Sequence, residues 1–303
     1  MDDGRDALAQ RFEAERPRLR AVAQRMLGSA GEAEDAVQEA WLRLGRVDAD
    51  RVDNLAAWLT TVVSRICLDL LRSRAARRED PVGRQVSDEL REDGEQADPE
   101  QQALLVDSVG RALLVVLDRL GPAERIAFVL HDLFAVPFDR IAAVVDRSPT
   151  AAKKLASRAR QRVHGAPVLP RAELDANRQI VEAFLAASRG GDLGALVAVL
   201  APDVVRRSDP AAVPVGAATA AHGLDEVLKG VAAFGPRAAT ATTALVNGQV
   251  GAVVAPGGRL WGALVFTVED GRITGYEVIA APARLRALDL AVLDPAADAE
   301  DAA

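Results

Sequence analysis

From Phe138 to Val163 the chain reads FDRIAAVVDRSPTAAKKLASRARQRV. Phe138, Ile141, Ala142 and Val145 recur at helical spacing, which predicts a short amphipathic helix starting after Pro137. Asp146-Arg147 turns the chain. Ser148-Pro149 opens a second helix, with a serine N-cap and a proline at the first helical position, where its missing N–H costs nothing. In this second helix Ala152, Leu155, Ala156, Ala159 and Val163 share one face. Thr150, Lys153, Lys154, Ser157, Arg158 and Gln161 share another. Two short helices joined by a tight turn, the second basic on its outer face, make a helix-turn-helix pattern. Such a helix needs cations to neutralise phosphates and a few side chains near its start that reach base edges. The DNA-contact candidates here are Ser148, Thr150, Lys153, Lys154, Ser157, Arg158 and Arg162. Of these, Thr150, Lys153 and Lys154 sit where base or nearby phosphate contacts fall, and Arg158 and Arg162 suit backbone contacts.

The overall charge of −7 at first argues against a nucleic-acid partner. The charges are segregated, however. Seven basic residues lie between Arg140 and Arg162 against the single acid Asp146, and five arginines lie between Arg65 and Arg78 against Asp69. Between these islands, Glu79–Asp107 carries ten acids and only Arg84 and Arg91 as cations. Two basic islands flanking an acidic connector differ in kind from a uniformly acidic protein. The 303 residues suit two or three domains, and the 50% hydrophobic content allows a sizeable core. A single cysteine, Cys67, excludes an internal disulfide framework and a cysteine-rich zinc site. The apolar neighbours of Cys67 predict a buried, inert thiol. With three histidines in all (His131, His164, His222), no metal site and no cofactor are expected. The charged start MDDGRDALAQRFEAERPR is not a secretory signal, and no run of apolar residues is long enough for a membrane span. A cytoplasmic setting without a membrane partner is expected.

Upstream, Ser29–Gly45 predicts a two-faced helix. Val37, Ala40, Trp41 and Leu44 make the core side, and Asp35, Gln38, Glu39 and Leu42 the other. On the residues alone, that second side reads as a solvated helix surface. A long helix is expected from Leu55 to Arg78, capped by Asp53 or Asn54, with a buried stripe of Leu55, Trp58, Leu59, Val62, Ile66 and Leu70. Arg65, Asp69 and Arg72 run beside the stripe, and Arg72–Arg78, RSRAARR, forms a cluster with Arg74, Arg77 and Arg78. Trp58 reads as core rather than as a stacking platform. Helical periodicity resumes from Gln102 to Leu120, then from Pro122 to Phe134. Gly165–Pro170, GAPVLP, reads as a domain boundary. Beyond it come a helix ended by Gly190-Gly191, a short helix Leu193–Leu200, a strand at Val204-Val205 and a helix Leu224–Phe234. Four strands follow: Thr240–Val246, Gln249–Ala255, Leu260–Val268 and Arg272–Ile279. Turns are expected at Asn247-Gly248, Gly257-Gly258 and Asp270-Gly271. Helices followed by a meander predict an α+β domain.

Together these motifs resemble a family. Gly31–Leu44, GEAEDAVQEAWLRL, is similar to region 2.2 of bacterial sigma factors. Leu55–Arg78 is similar to regions 2.3 and 2.4, and Leu120–Val163 to region 4. The spacing resembles the extracytoplasmic-function class. The resemblance makes Asp35, Gln38, Glu39 and Leu42 contacts to the clamp helices of the largest subunits of the RNA polymerase core. It makes Arg65, Asp69, Arg72, Arg74, Arg77 and Arg78 contacts to the −10 promoter element, with the helix-turn-helix on the −35 element. Asn247–Tyr276 is similar to the SnoaL-like, nuclear-transport-factor-like cone fold, which in a subgroup of these sigma factors regulates activity in cis. Where that subgroup often has Asp-Gly-Gly-Gly-Lys, Ser208–Ala218 reads SDPAAVPVGAA.

The implied fold class is all-α sigma region 2 and region 4 domains plus a C-terminal α+β cone-shaped domain. The expected domains are 8–78 (region 2), 79–101 (acidic flexible linker), 102–164 (region 4), 171–286 (SnoaL-like) and 287–303 (frayed acidic tail). The implied partners are RNA polymerase core and promoter DNA, and no bond chemistry is expected. The alternative is a DNA-binding regulator fused to a small-molecule-sensing or isomerase/cyclase-like domain, with Arg206, Asp209, His222, Trp261 and Tyr276 as pocket candidates for a small-molecule ligand.

Overall fold

The computed structural model describes residues 2–47, 52–79 and 108–293. The expected acidic linker (beyond Glu79), the start of the region 4 domain (102–107) and the end of the tail (294–303) lie outside the described residues.

The chain forms two compact units. One comprises the described residues up to Glu79 together with Leu117–Gln161. The other comprises Ser108–Val116 together with the described residues from Arg162. In the first unit, α1 (Asp2–Leu27), α2 (Ala30–Leu44) and α3 (Leu55–Glu79) pack on one another. Ser29 caps α2, its Oγ accepting the N–H of Glu32 at 3.4 Å, and Asn54 caps α3 by accepting the N–H of Ala57 at 2.9 Å. Helices α5 (Pro122–Phe128) and α6 (Phe138–Val145) pack on α3 as well. This second layer explains a difference from the expected stripe. Covered from two sides, α3 buries Val63, Cys67, Leu68 and Leu71 along with Thr60 and Ser64, whereas Val62, Leu70 and Trp58 are only half-buried. The helix expected to run to Phe134 stops at Phe128 and gives way to a π-helical turn, Val129–Leu133. Val136 donates back to the Leu130 carbonyl at 2.8 Å, which closes that turn.

The second unit contains α4 (Ser108–Leu117) up to Val116, and an α+β domain. Helices α8 (Arg171–Gly190), α9 (Leu193–Val199) and α10 (Gly223–Ala238) contribute Val181, Phe184, Leu185, Leu196 and Val227 to one core. That core is closed by the inner face of a mixed sheet through Leu245, Ala252, Leu264, Phe266, Tyr276 and Val278. The strands are β1 (Leu200–Ser208), β2 (Ala220–His222), β3 (Ala241–Val246), β4 (Gln249–Val254), β5 (Gly262–Glu269), β6 (Arg272–Ile279) and β7 (Leu290–Ala291). Their order is β2-β1-β6-β5-β4-β3-β7, antiparallel except where β1 runs parallel to β6. Phe184 seats its ring 5.3 Å from Phe266 and 5.4 Å from Tyr276. Burying a side chain of this size stabilises by about 1.5–3 kcal/mol.

The expected turn Asn247-Gly248 has φ of 52° and 76°, and Asp270-Gly271 has 49° and 75°. Both pairs use the mirror-image geometry that matches strand twist. The Gly257-Gly258 turn is a short 3-10 segment, Pro256–Gly258. In the second unit β2, β7 and α11 (Pro282–Ala287) were not anticipated. The expected fraying from residue 287 is corrected by β7. It pairs with β3 through Leu290↔Val246 and Ala291↔Leu245, and Leu290–Leu293 are buried. After Asp289, the next acid in the sequence is Asp294, beyond this apolar run.

Candidate nucleic-acid interface

The helix-turn-helix consists of α6 and α7 (Pro149–His164). Asp146 adopts a left-handed conformation at φ 55° and ends α6. A short polar side chain tolerates that region better than most. Ser148 Oγ accepts the N–H of Ala151 at 3.2 Å, so the expected N-cap is formed. Ala152, Ala156, Ala159 and Val163 are buried, which leaves Thr150, Lys153, Lys154, Ser157, Arg158 and Arg162 exposed. Among the described residues, neither Lys153 nor Lys154 has an ion-pair partner. Arg158 lies 3.7 Å from Glu124, and Arg160 donates to Asp132 at 2.7 Å. Arg140 on α6 and Arg147 in the turn are exposed on the same motif, though neither was among the expected contacts. Their place in the basic island was the available signal.

On α3 the expected cluster divides. Arg72 and Asp69 are exposed and lie 3.9 Å apart. Arg77 is exposed and donates to the Ser73 carbonyl at 3.3 Å. The side chain of Arg78 lies outside the described residues. Arg65 donates to the Ala143 carbonyl of α6 at 2.8 Å. Arg74, also among the expected DNA contacts, is half-buried. It turns inward, donates to the Leu27 carbonyl at 3.1 Å and pairs with Glu32. Close by, Arg125 is 2% exposed and pairs with Asp118 at 3.1 Å. These two guanidiniums lie near Cys67, yet burial dominates and pushes its thiol up to about 12.

On α2, Asp35 and Gln38 are exposed, Glu39 pairs with Arg43 at 2.9 Å, and Leu42 is 51% exposed.

The C-terminal candidates do not form one pocket. Arg206 and Tyr276 are cross-strand neighbours. Tyr276 lies in the core, where burial pushes its phenol well above the usual range. Asp209 belongs elsewhere. It is 6% exposed and accepts the N–H groups of Ala280 at 3.0 Å and Ala281 at 2.9 Å, and Arg284 Nη1 at 2.6 Å. Arg284 also donates to Glu277 at 2.8 Å. Burial raises the Asp209 carboxyl, but the Ala281 amide, Arg284 and the Ala280 amide outweigh it and hold the group below the usual carboxylate range. A carboxylate tied in this way anchors the start of α11. His222 is exposed and precedes α10, its N–H donating to Glu226 at 2.9 Å. Trp261 packs against Phe234 with Arg237 4.9 Å above its ring. A cavity of about 230 Å³ in the first unit is lined by Arg18, Asn54, Thr60, Phe134 and Arg140 among others, and its lining among the described residues includes no acid, histidine or cysteine. Among the described residues no group of three or more His, Cys, Asp or Glu side chains could hold a metal. No described helix is long and apolar enough to cross a membrane.

Known families match along the chain in this order: sigma-70 region 2 at residues 11–77, sigma-70 region 4 at 110–163, and a SnoaL-like domain at 181–276. The chain is 40% identical over 284 residues to the ECF RNA polymerase sigma factor SigJ of Mycobacterium tuberculosis, covering 89% of this chain and 91% of that protein. It is 35% identical over 283 residues to the probable ECF RNA polymerase sigma factor SigI of the same species, covering 92% and 95%. The crystal structure of M. tuberculosis SigJ aligns with a TM-score of 0.44 at 34% identity, covering 92% of this chain and 98% of that one. The chain belongs to the family of ECF RNA polymerase sigma factors.

Proposed function

We propose that this sigma factor binds RNA polymerase core through Asp35, Gln38, Glu39 and Leu42 on α2, and directs it to promoters whose −35 element is read by α7. The observation that carries this reading is the capped helix α7, which buries alanines on one side and leaves Lys153 and Lys154 exposed on the other, without ion-pair partners among the described residues. Arg65, Asp69, Arg72 and Arg77 on α3 serve the −10 element, where cations must follow the backbone of the opened strand. Arg74 is assigned to the interior of region 2. The C-terminal domain modulates activity in cis and performs no bond chemistry. The capture of Asp209 by two amides and Arg284 supports that view. The protein works in the cytoplasm, where the polymerase is.

Run-off transcription with purified core enzyme across a promoter library tests the proposal. Defined starts that require both elements are expected, and no start on any template refutes it. A secondary reading gives the C-terminal domain an anionic small-molecule ligand. Arg206 Nε favours it, being buried on the strand beside Tyr276 without a hydrogen-bond partner among the described residues. Native mass spectrometry of the purified chain checks for such a ligand.

A further inference from the structure

We infer that β7 and the Asn247–Gly248 turn form a clamp on the C-terminal end of α7, and that this clamp sets the position from which the helix reads DNA. The inference rests on the reading of α7 as the −35 reader. It names the contact through which the C-terminal domain acts on that helix.

The last carbonyls of any α-helix lack partners within the helix. At the end of α7 one of them is filled from far along the chain. The N–H of Val292, just after β7, donates to the Val163 carbonyl at 2.7 Å. Val163 is 3% exposed. Gly165 follows at φ 60°, and a Cβ there would stand 2.5 Å from the Cβ of Ala291. Only glycine lets the backbone come this close to the strand. The stretch expected to be a loose boundary, Gly165–Pro170, is then caught a second time. Val168 donates to the Gly248 carbonyl at 2.9 Å. A Cβ on Gly248 would lie 2.8 Å from both the Ala166 carbonyl oxygen and Val168 Cγ1. The turn and the strand are themselves joined. Asn247 donates its N–H to the Asp289 carbonyl at 2.7 Å, and its Oδ1 accepts the Asp289 N–H at 2.9 Å. Residues 163–168 are thus held at one end by β7 and at the other by the hairpin tip.

All of these contacts lie in the second unit, whose boundary falls inside α7 between Gln161 and Arg162. The helix is continuous across it. Lys153 and Lys154 stand on the order of 15 Å from the clamped end at 1.5 Å per residue. A tilt of about 10° at that end would move them by nearly 3 Å, roughly the length of a hydrogen bond to a phosphate. Val292, Asn247 and Gly165 are therefore positioning residues that do not touch DNA.

The test uses the full chain with Val292→Pro, which removes the donor, and Asn247→Gly, which removes the side-chain acceptor but keeps the positive φ. Hydrogen exchange over residues 160–168 is measured alongside run-off transcription with core polymerase. The templates vary the −35 to −10 spacing by single base pairs or carry a scrambled −35 element. Both variants are expected to exchange faster at the clamp, by about ten-fold or more. They should also show a broader spacing optimum and a weaker dependence on the −35 element, with −10 dependence kept. Faster exchange with a spacing profile identical to the unmodified protein overturns the inference and reduces the clamp to local packing. Unchanged exchange in both variants overturns it as well, because the contacts then hold nothing. Indifference of the unmodified protein to the scrambled −35 element marks the failure of the α7 reading itself, and the inference falls with it.

Discussion

Replacing Asp209 with alanine separates a structural carboxylate from a chemical one. In the folded chain Asp209 Oδ2 accepts the N–H groups of Ala280 and Ala281, and Oδ1 accepts from Arg284. Alanine leaves the Ala280 amide without an acceptor in a buried place, which costs about 1–3 kcal/mol. The charge-assisted bond to Arg284 is lost too, but Arg284 is half-exposed and keeps Glu277, so that loss is small. The expected destabilisation is about 2–4 kcal/mol. Asparagine keeps an acceptor and loses the charge, and about half that cost is expected. The pH dependence has a definite sign. Because the folded carboxyl is held below its ordinary value, its contribution is full above the unfolded pKa, about 3.9, and is lost as the pH falls through the folded one. The gap between the native chain and Asp209→Asn should therefore narrow below about pH 4. Urea denaturation, with hydrogen exchange at Ala280 and Ala281, measures both quantities. Equal midpoints for the native chain and Asp209→Ala, with equal exchange at Ala280, would refute the anchoring role. Undiminished stability with lost transcription would instead mean that the carboxylate acts on a ligand.

Three other substitutions or treatments have defined outcomes. Lys153→Ala with Lys154→Ala should weaken promoter binding by about 2–4 kcal/mol and flatten its salt dependence by nearly two counterions, as read by fluorescence anisotropy across a salt series. An unchanged salt slope would mean that these ammoniums do not meet phosphates. Asp35→Arg with Glu39→Arg should abolish co-purification with core polymerase while leaving the melting temperature within a few degrees, since Asp35 is exposed and Glu39 pairs with Arg43 across the helix surface. The Cys67 thiol, pushed up to about 12 by burial, should resist alkylation at pH 8 in the folded chain and react fully in urea. Prompt labelling of the folded protein would contradict that.

Periodicity made the helix-turn-helix and the hairpins readable because local chemistry specifies them. Ser148-Pro149 can hardly be anything but a helix start, and Asn247-Gly248 needs no distant partner to turn. What stayed hidden depends on partners far apart in the chain. Nothing around Asp209 announces that Ala280 and Ala281 will supply its hydrogen bonds, so from sequence the residue reads as a pocket candidate. Arg74 shares a run of arginines with Arg72 and Arg77, and only the packing of α3 against α1 and α2 turns it towards Glu32 and Leu27. The broad buried arc of α3 was illegible for the same reason, since α5 and α6 arrive from later in the sequence. β7 was lost to composition: two buried residues at the edge of an acidic, alanine-rich end carry no period of their own.

The underside of α7 carries a consequence for how the helix is held. Three of its buried positions, Ala152, Ala156 and Ala159, present a single methyl each. At about 0.8 kcal/mol per buried carbon, they hold the rod down with roughly 2–3 kcal/mol, comparable to one large aliphatic side chain. A rod so thinly packed relies as well on the buried Val163 and on the pairs Arg158–Glu124 and Arg160–Asp132 to keep its place.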